Sequence, residues 1–135
     1  MTLERFQVIL LWLFFIFFVI SCGVITWLFF DGAIYAESLK DLLLKLFAVY
    51  SVHLSIVIGG MFALKGPTTT PAPRFARSAI ALALAWNLLV SVRIILFAVV
   101  DEDSVTSLTA YMDTVGASSA FLVSGLITFF FVKQS

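Results

Sequence analysis

The chain has 135 residues, of which 62% are hydrophobic and 12% charged, with a mean hydropathy of +1.14 and a formal net charge of zero. An average soluble domain is about 45–50% apolar and about 25% charged, and a small domain has too little interior to hide a larger apolar share. Such a composition excludes an ordinary water-soluble fold, and the charge balance excludes a nucleic-acid partner, which needs clustered excess Lys and Arg.

The first apolar run, Phe6 to Phe30, is broken only by Gln7, Ser21, Thr26 and small residues. A spanning helix needs about 20 residues, so this run crosses a bilayer with some tilt. A cleaved signal peptide is the competing reading. The run exceeds the ~7–15 residues of a signal core, and Glu4 beside Arg5 weakens a basic leader. Val19-Ile20-Ser21-Cys22 fits the loose pattern of a bacterial lipoprotein cleavage site, but Gly23 to Phe30 stay apolar beyond it, so an uncleaved first span is expected.

Asp31-Gly32 reads as a turn. From Ala36 to Phe47 the pattern becomes amphipathic: Leu39, Leu42, Leu43 and Leu46 share one face, and Glu37, Lys40, Asp41 and Lys45 fill the other. The expectation is a short outer-interface segment that leads into a second span over Leu46–Leu64. Lys65 to Arg77, with Gly66, three threonines and Pro67, Pro71 and Pro73, reads as a loop. A third span is expected over Ser78–Val100. The acidic run Asp101-Glu102-Asp103-Ser104 closes it and can cap a fourth, expected over Ser107–Val132.

The fold expected is therefore an all-α integral membrane protein, a single domain of four transmembrane helices. Arg5, Lys65, Arg74, Arg77 and Lys133 fall on one side of these spans and Lys40 and Lys45 on the other. The excess of basic residues marks the cytoplasmic side, which puts both termini in the cytoplasm, with the plasma (inner) membrane as the expected location.

Polar side chains inside the spans are the candidates for function, because lipid offers them no partners. In an antiparallel hairpin centred near Asp103, Arg93 and Asp113 lie at similar depth, and an intramembrane Arg93–Asp113 pair is expected. Its structural role would be to fix the register of helices 3 and 4; a snorkelling Arg93 and a direct role of the pair in ion or substrate handling are the rival readings. The same depth argument sets His53 near Asn87 and Cys22, and Tyr50 near the level of Arg93. A polar layer of Ser21, Thr26, Tyr50, His53, Asn87, Arg93 and Asp113 follows. His53 acts in it as a packing residue or as a proton-sensing, pore-lining group. Small residues recur at helical spacing as Ser51, Ser55 and Gly59, as Ala79, Ala83, Asn87 and Ser91, and as Gly116, Ala120, Ser124 and Thr128. Such stripes pack helices closely. In the sharper reading Ser124 and Thr128 line a narrow pore or a subunit seam. Most of the fifteen phenylalanines should face lipid or fill the bundle.

Cys22 and His53 are the only residues of their types, which excludes an internal disulfide and a haem held by two histidines of one chain. Helix 1 lacks the central carboxylate of the small four-helix multidrug exporters, and there is no zinc-protease pattern or convincing serine–histidine arrangement. No enzymatic activity, cofactor or metal is expected. The reading that remains is a small homo-oligomeric channel or pore for ions or small solutes, with the lipid bilayer as its medium. The alternative is a non-catalytic anchor or accessory subunit of a larger membrane complex. A membrane-disrupting effector of a toxin or defence system is a further alternative.

Overall fold

A computed structural model of the chain describes residues 3–63, 73–100 and 104–116, together with positions 123, 125 and 128. Among these the regular structure is entirely helical: α1 (Leu3–Phe30), α2 (Ala36–Ala63), α3 (Pro73–Val99) and a short α4 (Val105–Tyr111), which continues as one π-helical turn over Met112–Gly116. The first three are long and apolar enough to cross a membrane. Their 27 or 28 residues correspond to about 40 Å, more than a ~30 Å hydrocarbon core. Of the expected fourth span, Ser107–Val132, only the start and three isolated positions lie among the described residues.

The ends of these helices follow from local chemistry. At the end of α1, Ala33 N–H donates to Leu28 O (3.0 Å) and Gly32 N–H to Phe29 O (3.1 Å), the paired bonds of a Schellman cap. That cap needs a left-handed residue, and Gly32 supplies it at φ +81°. The amphipathic stretch from Ala36 leads without a break into the second apolar run, as expected. It is the first part of one continuous helix that includes the second span, and Leu42 and Leu46 are buried on its inner face. α3 starts at Pro73, five residues before the expected Ser78, because proline suits the first helical turn, where its missing N–H costs nothing. Arg74 and Arg77 thus belong to the helix rather than to the loop. At α4 the Ser104 hydroxyl accepts the Ser107 N–H (3.1 Å) as an N-cap.

α1 packs against both α2 and α3, and α4 with its π turn reaches α2 and α3. The buried face of α1 carries Phe6, Leu10, Phe14, Ile25 and Leu28, that of α2 Leu42, Leu46, Tyr50 and Val57, and that of α3 Ala79, Ala83, Trp86, Val90 and Ile94. The opposite faces are equally apolar. Trp12, Ile16, Val19, Trp27, Phe47, Phe62, Leu88, Leu89 and Val99 are all exposed. Helices that are hydrophobic all round fit a lipid surrounding, whereas a soluble monomer rarely shows contiguous apolar patches beyond a few hundred Å².

Candidate functional site

The polar side chains of the three long helices converge on the inner seam, where they are interleaved with aromatic rings. Tyr50 and His53 stand three residues apart on α2 and are both fully buried. Phe14 from α1 stacks on the His53 ring at 4.9 Å and 12°. Trp86 from α3 meets His53 edge-on at 4.4 Å and Tyr50 at 5.2 Å. Phe14 also lies 5.9 Å from Trp86, so four rings from three helices close one layer of the bundle. Offset and edge-to-face pairs of this kind contribute about 0.5–1.5 kcal/mol each beyond their area.

A hydroxyl group cluster adjoins that layer. The Ser21 and Ser91 hydroxyls are hydrogen-bonded to each other at 3.2 Å across α1 and α3, and both residues are buried. The Tyr50 hydroxyl lies beside both serines, but within strict hydrogen-bond geometry of neither. Asn87 donates through Nδ2 to Ala83 O of its own helix (2.8 Å). Its Oδ1, Trp86 Nε1 and Gln7 Nε2 are buried without a hydrogen-bond partner among the described residues. The Ala79, Ala83, Asn87 and Ser91 stripe is buried along its whole length, as an internal packing face requires. Gly116 is buried too: a Cβ there would meet Val49 Cγ2 at 2.9 Å. Ser51, Ser55 and Gly59, by contrast, are exposed on the outer side of α2.

The charged residues are arranged differently from the sequence expectation. Asp113 makes its ion pair with Lys45 of α2, not with Arg93, and that pair is largely exposed. Arg93 donates through Nη2 to Ser107 Oγ (3.0 Å) and lies over the Tyr111 ring, 5.5 Å from its centroid. Tyr111 in turn donates its hydroxyl proton to Leu89 O (3.4 Å). The Arg93–Ser107 and Leu89–Tyr111 pairs are both centred on Val100, three residues before the Asp103 taken as the middle of the hairpin. That shift carries Asp113 past Arg93, and the packing of the π turn against α2 gives it Lys45 instead.

His53 and Asn87 are both buried, and His53 stacks on Phe14 of α1 and meets Trp86, the residue before Asn87, edge-on. Tyr50 lies against the Trp86 ring, with its hydroxyl beside Ser21 and Ser91. Thr128 is helical and exposed, and Ser124 lies outside the described residues. The sequence reading did not single out Phe14, Trp86, Lys45, Ser107 or Tyr111. Trp86 carried a usable signal, since tryptophan favours membrane interfaces and one in the middle of a span suggests an internal role.

The arrangement is a layer of hydroxyl, amide, imidazole and indole groups interleaved with aromatic rings. Among the described residues no group of three or more His, Cys, Asp or Glu side chains is placed to hold a metal ion. Comparison with known proteins yields no match, whether to a protein family, a curated protein or a solved structure.

Proposed function

We propose that the chain is an integral membrane protein with both termini cytoplasmic. Copies of it assemble side by side into a small channel or pore for ions or small solutes. The path runs along the seam between copies and not through one bundle. The observation that carries this reading is the contrast between the two sides of α2. Its inner side is filled by the Phe14–Tyr50–His53–Trp86 ring layer, which closes the space between α1, α2 and α3 among the described residues. Its outer side presents Ser51, Ser55 and Gly59 one helical turn apart.

Small residues let helices of neighbouring copies approach closely, and hydroxyl oxygens on such a wall can replace part of an ion's hydration shell. The Ser51 hydroxyl donates to Ala48 O (3.0 Å), so its lone pairs still face outward. The Lys45–Asp113 pair lies on the outer side of the ring layer, roughly 7 Å along α2 from Tyr50, and is neutral as a unit, which favours weak charge selectivity.

The reading is tested by extracting the protein from native membranes in mild detergent and determining what travels with it. A homo-oligomer without a second protein supports it. A stoichiometric partner protein overturns it in favour of an accessory subunit whose partner carries the chemistry.

A further inference from the structure

On the far side of α3 from the ring layer lies an open groove of about 570 Å³, walled by Leu88, Leu89, Val92 and Leu96 of α3 and by Tyr111 of α4, with Arg93 in its lining. We infer that this groove is a binding site for one glycerophospholipid of the outer leaflet, with an acyl chain along the α3 wall and the phosphate on the Arg93 guanidinium.

Three observations converge on that occupant. The first is depth. Trp86 is the midpoint of α3, and the groove runs from Ala85, at that midpoint, to Leu96. Eleven residues of helix rise about 16 Å, close to half of a ~30 Å hydrocarbon core. The groove therefore matches one leaflet, not two.

The second is the chemistry of its walls. The α3 wall is aliphatic and its leucines and valine are exposed, which suits a methylene chain. The third is the cation at its outer part. Arg93 lies about 10 Å above the helix midpoint, within ~5 Å of the edge of the hydrocarbon. Ser107 and Tyr111 hold its guanidinium on the α4 side of the groove. A guanidinium is a planar fork of five donors, so it can take a phosphate oxygen while keeping the bonds it already makes. A second copy of the chain fits less well, because a two-fold contact through this groove would bring another Arg93 against the first.

The inference rests on the membrane placement proposed above and is independent of whether the protein conducts. The test is native mass spectrometry of the detergent-purified protein, after reconstitution with a phosphatidylethanolamine or with a diacylglycerol of the same chains and no phosphate. The wild type should retain one phospholipid per chain and at least tenfold less diacylglycerol. Arg93→Gln should lower phospholipid retention about tenfold or more, Arg93→Lys should restore part of it, and Leu89→Trp, which fills the groove, should abolish it with Arg93 intact. Ile16→Trp, on the exposed face of α1, should change nothing.

Equal retention of the two lipids, unchanged retention in both Arg93→Gln and Leu89→Trp, or cross-linking of two copies through the groove would overturn the site. Alkaline extraction of the same membranes separates the two failures: release of the chain overturns the membrane placement, whereas firm retention without a bound lipid overturns the groove alone.

Discussion

Trp86 allows the packing of the ring layer to be tested against the lipid-facing surface with a single residue type. Its indole meets His53 at 4.4 Å, Tyr50 at 5.2 Å and Phe14 at 5.9 Å, and only 2% of the residue is exposed. Trp86→Ala removes three ring contacts, which together amount to about 1.5–4.5 kcal/mol. In a water-soluble core the lost transfer free energy would add to this and bring the cost to ~3–5 kcal/mol. Within a bilayer that addition falls away, because the separated helices keep their side chains in lipid and association is driven by packing instead. A loss of about 2–4 kcal/mol is expected. Trp86→Phe keeps most of the ring and should cost less than about 1.5 kcal/mol. The control is Trp12, 57% exposed and touching Phe15 of its own helix, where Trp12→Ala should stay within about 0.5 kcal/mol. Reversible unfolding in mixed micelles with increasing SDS, followed by far-UV circular dichroism, reads all three. If Trp86→Ala destabilises the protein no more than Trp12→Ala, the ring layer is not the centre of the bundle and the reasoning fails.

Gly116→Ala should destabilise by about 1–3 kcal/mol, because its Cβ would lie 2.9 Å from a stiff, β-branched Val49, and Val49→Ala should restore most of that loss in the same titration. Gly23→Ala, whose Cβ meets nothing within 4 Å, should be neutral or stabilise by up to ~1 kcal/mol. Lys45→Ala and Asp113→Ala should each cost about 3–5 kcal/mol, because either one leaves a lone charge within the span, and the double variant should recover most of that loss. A loss below ~1 kcal/mol that salt abolishes would show that the pair lies in water instead. Ser21→Ala and Ser91→Ala should show a coupling of about 0.6 kcal/mol in a double-mutant cycle, the average for hydrogen bonds between membrane helices. A coupling of zero would mean that the two hydroxyls do not bond.

The three long helices were legible because lipid compatibility is written into uninterrupted apolar runs, and the α1 cap because Gly32 is the residue that its left-handed backbone requires. The buried stripe of Ala79, Ala83, Asn87 and Ser91 was legible for a similar reason, since small residues at helical spacing mark close approach. Periodicity could not say which side of α2 faces the core. The helix is apolar all round, so the burial of Tyr50 and His53 and the exposure of Ser51 and Ser55 leave no contrast in the pattern. The partner of Asp113 was missed because depth was counted along one hairpin from an assumed centre at Asp103. A three-residue error in that centre shifts the residue opposite Arg93 by six positions, from Asp113 to Ser107, or about 9 Å along the helix axis. Lys45 was read on the polar face of a helix that runs into the second span, but depth was compared for Asp113 along the hairpin of helices 3 and 4 alone, so a partner on α2 was not weighed.

The channel reading is tested most directly by ion flux through proteoliposomes of the purified protein, with Ser55→Cys placed in a Cys22→Ser background so that the new thiol is the only one. The account predicts flux in the unmodified protein, and block when a membrane-impermeant thiol reagent reaches position 55 along the seam, with Ile16→Cys in the same background unaffected by the reagent. Absence of flux at every voltage and pH, or flux that survives complete modification at position 55, would contradict a path along the outer face of α2.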